Sequence, residues 1–315
     1  MTQAWMATGP GGIDVWELRE VDVPAPKPGE VTIRVHAAGM NPADVKYSSR
    51  PGGIFPAPIG YEVSGEITAL GPDSALGTDT EVGSGPARVG DEVIAFRVSG
   101  GYAGEITVPA AKVFAKPTTL THPAAANLLL AGATAAALVE LSGARSGDTV
   151  LLHGASGAVG VSFLQQAAVR GIRVVGTASE GNADVVRRYG GIPITYGDGL
   201  IDRATDAAGA PFVAALDAVG TDEAIASSLA LVRDRGRIIT IVRADRVEPD
   251  GIVAIGGMKK ASAVFRDAAR PALIDLAERG LLEVPVARTF PLAHAREAAA
   301  LLMGGHPGGK LALLP

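Results

Sequence analysis

The run Thr149-Val-Leu-Leu-His-Gly-Ala-Ser-Gly-Ala-Val-Gly160 constrains this chain more than any other stretch. Residues 150–152 are apolar and bounded like a buried strand. Residues 154–157 are a turn of small side chains, and residues 159–169 have helix character. Strand, glycine-rich turn and helix in that order form the first βα step of a dinucleotide-binding sheet. The reason is geometric. Gly157 has no Cβ, so its backbone can approach a pyrophosphate closely. Gly160 allows tight helix packing, and the free N–H groups of the first helical turn face phosphate oxygens. In the Gly-x-Gly-x-x-Gly register Ala155 takes the place of the first glycine, with Ser156 between it and Gly157. Further strand-like runs follow at residues 173–177, 212–217 and 236–242, separated by helix-like sequence. That alternation predicts an α/β fold with a parallel, doubly wound sheet.

A chain of 315 residues suits about two domains, at roughly 150 residues each. The first third differs from the middle. Short β-like runs at 31–36, 63–69 and 92–96 are separated by turns such as Pro24-Ala-Pro-Lys-Pro-Gly29. A compact antiparallel β domain is expected there. Residues 72–89 read as a polar surface loop. Helices are expected at 266–279 and 294–303, and a last strand at 309–314. The division is therefore 1–122 with 261–315 for the β-rich domain, and 123–260 for the dinucleotide-binding domain. The net charge of −5 offers nothing to nucleic acid or an anionic membrane. No basic-then-apolar leader and no membrane-length apolar run is evident, so a cytoplasmic protein is expected. There is no cysteine, which removes disulfides, thiolate nucleophiles and cysteine-containing zinc sites.

The end of the second strand speaks to the type of dinucleotide. An acidic residue there would accept from a ribose 2′-OH. The expected position is Ala178, which repels no 2′-phosphate. Thr177 ends the strand, and Ser179 and Asn182 are potential donors. Arg187, Arg188 and Lys310 are cations for a 2′-phosphate, although both arginines also suit a solvated helix face. Glu180 argues the other way. The balance favours NADP(H).

Several blocks resemble the zinc-free quinone oxidoreductases of the medium-chain dehydrogenase/reductase superfamily. They are Ala37-Ala-Gly-Met-Asn-Pro-Ala-Asp44, Gly60-Tyr-Glu-Val-Ser-Gly65, Val89-Gly-Asp-Glu-Val93 with Gly100-Gly-Tyr-Ala103, Ala131-Gly-Ala-Thr-Ala135 and the glycine turn itself. The resemblance covers essentially the whole chain. It implies a GroES-like catalytic domain interrupted by a Rossmann domain, an active-site cleft between them, and a homodimer formed through the Rossmann sheets. It also implies that Asn41 and Asp44 line the cleft and that Thr134 lies near the nicotinamide. Gly157, Ala158 and Val159 would contact pyrophosphate, and Tyr196 the 2′-phosphate. Ala218, Val219, Ile241 and Val242 would flank the nicotinamide half. The chain departs from the family in three places. Glu180 stands where some members carry a basic phosphate ligand, Tyr47 lies one residue from a frequent substrate-side tyrosine, and the 72–89 loop is longer than usual.

Five histidines are scattered at His36, His122, His153, His294 and His306, with no pair at ligand spacing, so no metal is expected. Without a Lewis acid, the chemistry suits an acceptor that is already electron-poor. Hydride addition to an enone or quinone gives a delocalised anion that modest donors stabilise. The catalytic candidates are Asn41, whose amide would orient the carbonyl, with Asp44 and Tyr47. Bland alternatives stand beside each. Asn41-Pro is a turn element, Asp44 suits holding backbone N–H groups, Tyr61 and Glu62 suit a buried pair, and Thr134 suits a hydroxyl bonded to its own turn. The leading expectation is an NADPH-dependent reductase of quinones or α,β-unsaturated carbonyls. The alternatives are an enoyl reductase of secondary metabolism and a non-catalytic NADPH-binding redox sensor. A metal-dependent alcohol dehydrogenase is the least favoured.

Overall fold

The computed structural model describes residues 1–49, 52–72, 81–256, 260–305 and 307–315. It separates into two compact units, Met1–Leu130 with Glu283–Pro315, and Ala131–Leu282. The first is the GroES-like domain and the second the Rossmann domain.

In the GroES-like unit, the Glu30–Gly39 strand carries Val31, Ile33 and Val35, alternate β-branched residues that bury on one face. It pairs antiparallel with Glu62–Leu70 and with Glu105–Pro109. Glu92–Phe96 and Val113–Ala115 extend the sheet beyond Glu62–Leu70. On its other side lies the last strand of the chain, Lys310–Leu314, antiparallel to Glu30–Gly39 and parallel to Val286–Pro291. A small sheet of Trp16–Val21, Thr2–Ala7 and Ala57–Pro58 completes the unit. Both tryptophans serve its core. Trp5 Nε1 donates to the Leu292 carbonyl at 2.7 Å, and Trp16 Nε1 donates to Ser48 Oγ at 3.0 Å. Tyr102 meets Trp16 edge to face, with centroids 6.0 Å apart.

The Rossmann unit holds a six-stranded, all-parallel sheet. Its spatial order is Ile192–Thr195, Arg173–Ala178, Thr149–His153, Phe212–Asp217, Ile238–Thr240, Val253–Ala254. By chain order this is 3-2-1-4-5-6, the doubly wound arrangement with its reversal beside the first strand. Leu152 packs with Phe163 and Leu216 in one core, and Leu151 packs with Val175 and Ile225 in another. Burial on both faces explains why this strand reads as an unbroken apolar run.

The structure differs from the sequence reading in detail. The chain returns to the GroES-like unit at Glu283, not at residue 261. The cause is the Arg270–Glu278 helix. Its Leu273 lies against Gly132 of the Leu128–Ser142 helix, where an added Cβ would stand 3.2 Å from Leu273 Cδ1. The single helix expected at 266–279 is two, Lys260–Ala268 and Arg270–Glu278. Of the expected 72–89 loop, residues 73–80 lie outside the described residues. Glu81–Val82 and Gly85–Pro86 pair as a small antiparallel hairpin. Among the described residues no helix is long and apolar enough to cross a membrane.

Candidate functional site

The glycine turn sits at the carboxyl end of Thr149–His153, beside the point where strand order reverses. Two bonds from the neighbouring strand fix it. Ala155 N donates to the Thr177 carbonyl at 3.0 Å, and Gly154 N to Thr177 Oγ1 at 3.2 Å. Thr177 thus positions the turn; its hydroxyl is buried there. Gly157 is the N-cap of the 12-residue Ala158–Val169 helix. At Gly160 a Cβ would stand 2.3 Å from the Gly154 carbonyl oxygen, so only glycine lets the helix close on the turn. Ala155 and Ser156 are buried inside the turn.

The neighbouring strand ends carry the other expected residues. Val219 and Val242 are 46% and 44% exposed, large apolar side chains left uncovered beyond Phe212–Asp217 and Ile238–Thr240. Ala218 and Ile241 beside them are half-buried. Asp217 organises both loops, and the sequence reading passed over it. Its buried carboxylate accepts from Val219 N at 2.9 Å, Gly220 N at 2.8 Å and Thr240 Oγ1 at 2.7 Å. His153 is held neutral, its pKa lowered to about 4 by burial, with Asp217 opposing the shift. Thr134 lies half-buried in the Leu128–Ser142 helix.

At the Arg173–Ala178 strand end, Asn182 Nδ2 donates to Ser179 Oγ at 3.0 Å, and Glu180 is exposed. Tyr196 is 58% exposed. Arg187 is paired with Asp184 at 2.6 Å, and Arg188 lies over the Tyr189 ring. Lys310 requires correction. It was read as a cation for a 2′-phosphate, but it belongs to the GroES-like unit. Its ammonium is buried, donating to the Met40 carbonyl at 2.8 Å and to Asn41 Oδ1.

Lys310 is part of a buried polar network assembled from five segments. Pro42 opens the Pro42–Ser48 helix, a position where its missing N–H costs nothing. Asp44 Oδ2 accepts from the Asn41 N–H at 2.8 Å and from Tyr102 OH at 3.0 Å. Asn41 Nδ2 donates to Glu62 Oε1 at 2.9 Å, and Leu130 N donates to Glu62 Oε2 at 3.0 Å. Lys310 Nζ stands 4.0 Å from Glu62 Oε1. Burial pushes the Asp44 carboxyl up to about 7, against the Asn41 and Tyr102 hydrogen bonds. Burial also raises Glu62, with Lys310 opposing, and lowers Lys310, with Glu62 and Asp44 opposing. The Asn41 amide was expected to meet a substrate carbonyl. Instead its oxygen serves Lys310 and its nitrogen serves Glu62. Nor do Tyr61 and Glu62 form a pair: Glu62 turns into the network, while Tyr61 packs edge to face against Phe96.

Asp44 and Tyr47 also line a cavity of about 190 Å³ within this unit, together with Ile59, Tyr61, Arg97 and Lys112.

His36 and His122, distant in sequence, meet with Nδ1 and Nε2 3.1 Å apart. Ser64 and Glu92 bracket His122 at 2.8 and 3.1 Å. His306 lies outside the described residues. Among the described residues no three His, Cys, Asp or Glu side chains are placed to hold a metal ion.

Two family models match the chain. Residues 27–118 match the alcohol dehydrogenase GroES-like domain, and residues 195–313 match a model described as zinc-binding dehydrogenase. The chain has no cysteine, and the oxygens of Glu62 and Oδ2 of Asp44 are committed to hydrogen bonds. Rat quinone oxidoreductase is 33% identical over 242 residues, 73% of this chain and 70% of that protein. Mouse synaptic vesicle membrane protein VAT-1 homolog is 36% identical over 199 residues, 60% of this chain; the match spans about half, 46%, of that protein. The structure of mycobacterial Rv1454c complexed with NADPH superposes over the whole of both chains, with TM-score 0.83 and 27% identity. Fold and motifs together define a medium-chain dehydrogenase/reductase. Within that superfamily the chain belongs to the quinone oxidoreductase family.

Proposed function

We propose that this protein is an NADPH-dependent oxidoreductase that passes hydride to a quinone or an α,β-unsaturated carbonyl without zinc. The observation that carries this reading is the 3-2-1-4-5-6 parallel sheet with its glycine turn at the reversal point. The N–H groups of Gly157, Ala158 and Val159 suit a pyrophosphate at the head of the Ala158–Val169 helix. Ala178, with Ser179 and Asn182 beside it, suits a 2′-phosphate better than a bare 2′-OH, and the NADPH complex of Rv1454c supports the same choice. The exposed Val219 and Val242 offer apolar contact to a nicotinamide ring. The bound nicotinamide supplies the hydride. The polypeptide supplies positioning, exclusion of water and donors for the developing oxyanion. Asn41 acts at one remove, fixing Lys310 and Glu62 around Asp44.

The test is a parallel titration with NADPH and NADH, read by nicotinamide fluorescence, followed by oxidation of each in the presence of quinones and enones. NADPH-selective binding with turnover on either acceptor class is expected. Preference for NADH overturns the reading of Ala178. Tight NADPH binding with no turnover on either class replaces the reductase with a redox sensor.

A further inference from the structure

Asp217 and Thr240 are both fully buried and face each other in register at the carboxyl ends of neighbouring parallel strands. Asp217 Oδ1 accepts from Val219 N at 2.9 Å and from Gly220 N at 2.8 Å, and Oδ2 accepts from Thr240 Oγ1 at 2.7 Å. The Thr240 hydroxyl gives its one proton to that bond, which leaves its lone pairs to accept. They take Val242 N at 3.1 Å and Arg243 N at 3.0 Å. One carboxylate and one hydroxyl thereby hold four backbone N–H groups, two in the loop 218–220 and two in the loop 241–243.

The two loops also meet each other and the glycine turn. A Cβ on Gly220 would stand 2.5 Å from Val242 Cγ1, and a Cβ on Gly154 would stand 2.6 Å from Val219 Cγ2. Arg243 Nη1 adds a bond to the Gly220 carbonyl at 3.2 Å. Val219 and Val242 remain exposed on this tethered backbone. Two apolar side chains held from beneath form a surface set before a ligand arrives, which lowers the cost of ordering it on binding. Sheet order keeps this clamp apart from the other end of a dinucleotide. Asp217 and Thr240 end the fourth and fifth strands by chain order, on one side of Thr149–His153. Ala178, Ser179 and Asn182 lie at the end of Arg173–Ala178, on the other side.

We propose that the Asp217–Thr240 pair is the positioning element for the nicotinamide half of the cofactor, presetting Val219 and Val242 for the ring and taking no part in holding the adenosine half. This rests on the NADPH reading above, in which those two valines contact the nicotinamide. The pair touches neither cofactor nor acceptor. It acts through the two loops.

The decisive variant is Thr240→Val. It keeps the shape of the side chain and removes the hydroxyl, so Asp217 loses a donor while Val242 N and Arg243 N lose their acceptor. Thr240→Ser keeps the hydroxyl. Calorimetric binding of NADPH is compared with binding of 2′-phospho-ADP-ribose, which lacks only the nicotinamide. Loops freed in the unbound protein must be ordered on binding, so Thr240→Val should weaken NADPH about tenfold. Affinity for 2′-phospho-ADP-ribose should be unchanged, and Thr240→Ser should restore that for NADPH. The emission maximum of bound NADPH should shift toward that of free NADPH in Thr240→Val and return in Thr240→Ser. Equal NADPH affinity in wild type and Thr240→Val overturns the proposal. So does an equal loss for both ligands, the mark of general destabilisation. A second measurement needs no variant. Amide hydrogen exchange is followed by nuclear magnetic resonance in the wild type without NADPH. The N–H groups of Val219, Gly220, Val242 and Arg243 should already be protected. Exchange there at the rate of an unfolded chain, slowed only once NADPH binds, overturns a preset clamp. A wild type that prefers NADH, or binds neither dinucleotide, overturns the cofactor reading instead, and the exchange result then decides the clamp alone.

Discussion

At the scale of single residues, the buried charges decide most. Lys310 is the cation of the network that holds Asp44, Glu62 and Tyr102, and its ammonium also donates to the Met40 carbonyl. Lys310→Met keeps the volume of the stem but leaves Glu62 and Asp44 uncompensated. Removing one partner of a buried ion pair costs about 3–5 kcal/mol, and urea denaturation should show a loss of that order. His153 provides a test with the opposite charge. It is buried at the end of Thr149–His153, with its pKa lowered to about 4 from 6.5. The folded protein therefore binds fewer protons at this site than the unfolded chain between those values. The stability concerned is present above pH 6.5 and is lost as pH falls toward about 4. In His153→Gln the drop in unfolding free energy between neutral and acid pH should be smaller than in the wild type. An equal drop would place the acid sensitivity elsewhere.

At the scale of elements, the Rossmann turn depends on close packing at Gly160 as well as on its bonds to Thr177. Gly160 has no left-handed φ; its constraint is space, since a Cβ would stand 2.3 Å from Gly154 O and 2.6 Å from Ala155 O. Gly160→Ala must push the Ala158–Val169 helix off the turn. Overpacking of this kind costs about 1–3 kcal/mol, so thermal melting should fall accordingly and NADPH affinity should weaken with it. This constraint was legible in the sequence because turn and helix are contiguous. The strands Glu92–Phe96 and Phe212–Asp217 were legible for the same reason: each is a short apolar run between turn residues. Ile192–Thr195 and Val253–Ala254 were not, being short edge strands that include a proline or only two residues. The polar network was hidden more deeply. Asn41, Glu62, Tyr102 and Lys310 lie on four separate segments, and Lys310 reaches Asn41 only because the last strand pairs beside Glu30–Gly39. No periodicity encodes that pairing. A lysine followed by four apolar residues in a strand, Lys310-Leu-Ala-Leu-Leu314, was the one local hint of a buried ammonium.

At the scale of the molecule, the two units have separate cores. Trp5, Trp16 and Phe290 belong to the core of the GroES-like unit, and Leu152, Phe163 and Leu216 to one of those in the Rossmann unit. Both tryptophans of the chain lie in Met1–Leu130, so tryptophan fluorescence reports the GroES-like unit alone. Most helical residues lie in Ala131–Leu282, so far-UV circular dichroism at the helix bands reports mainly the Rossmann unit. A ligand that binds only the folded form at 100 times its Kd stabilises it by about 2.7 kcal/mol. If NADPH is held mainly by the glycine turn and the strand ends beside it, that stabilisation falls first on the Rossmann unit. Thermal unfolding followed by both probes, with and without saturating NADPH, separates the cases. The circular dichroism midpoint should rise by several degrees, and the fluorescence midpoint by clearly less. Coincident shifts of equal size would mean that the units unfold as one cooperative body, with the binding energy shared across both cores.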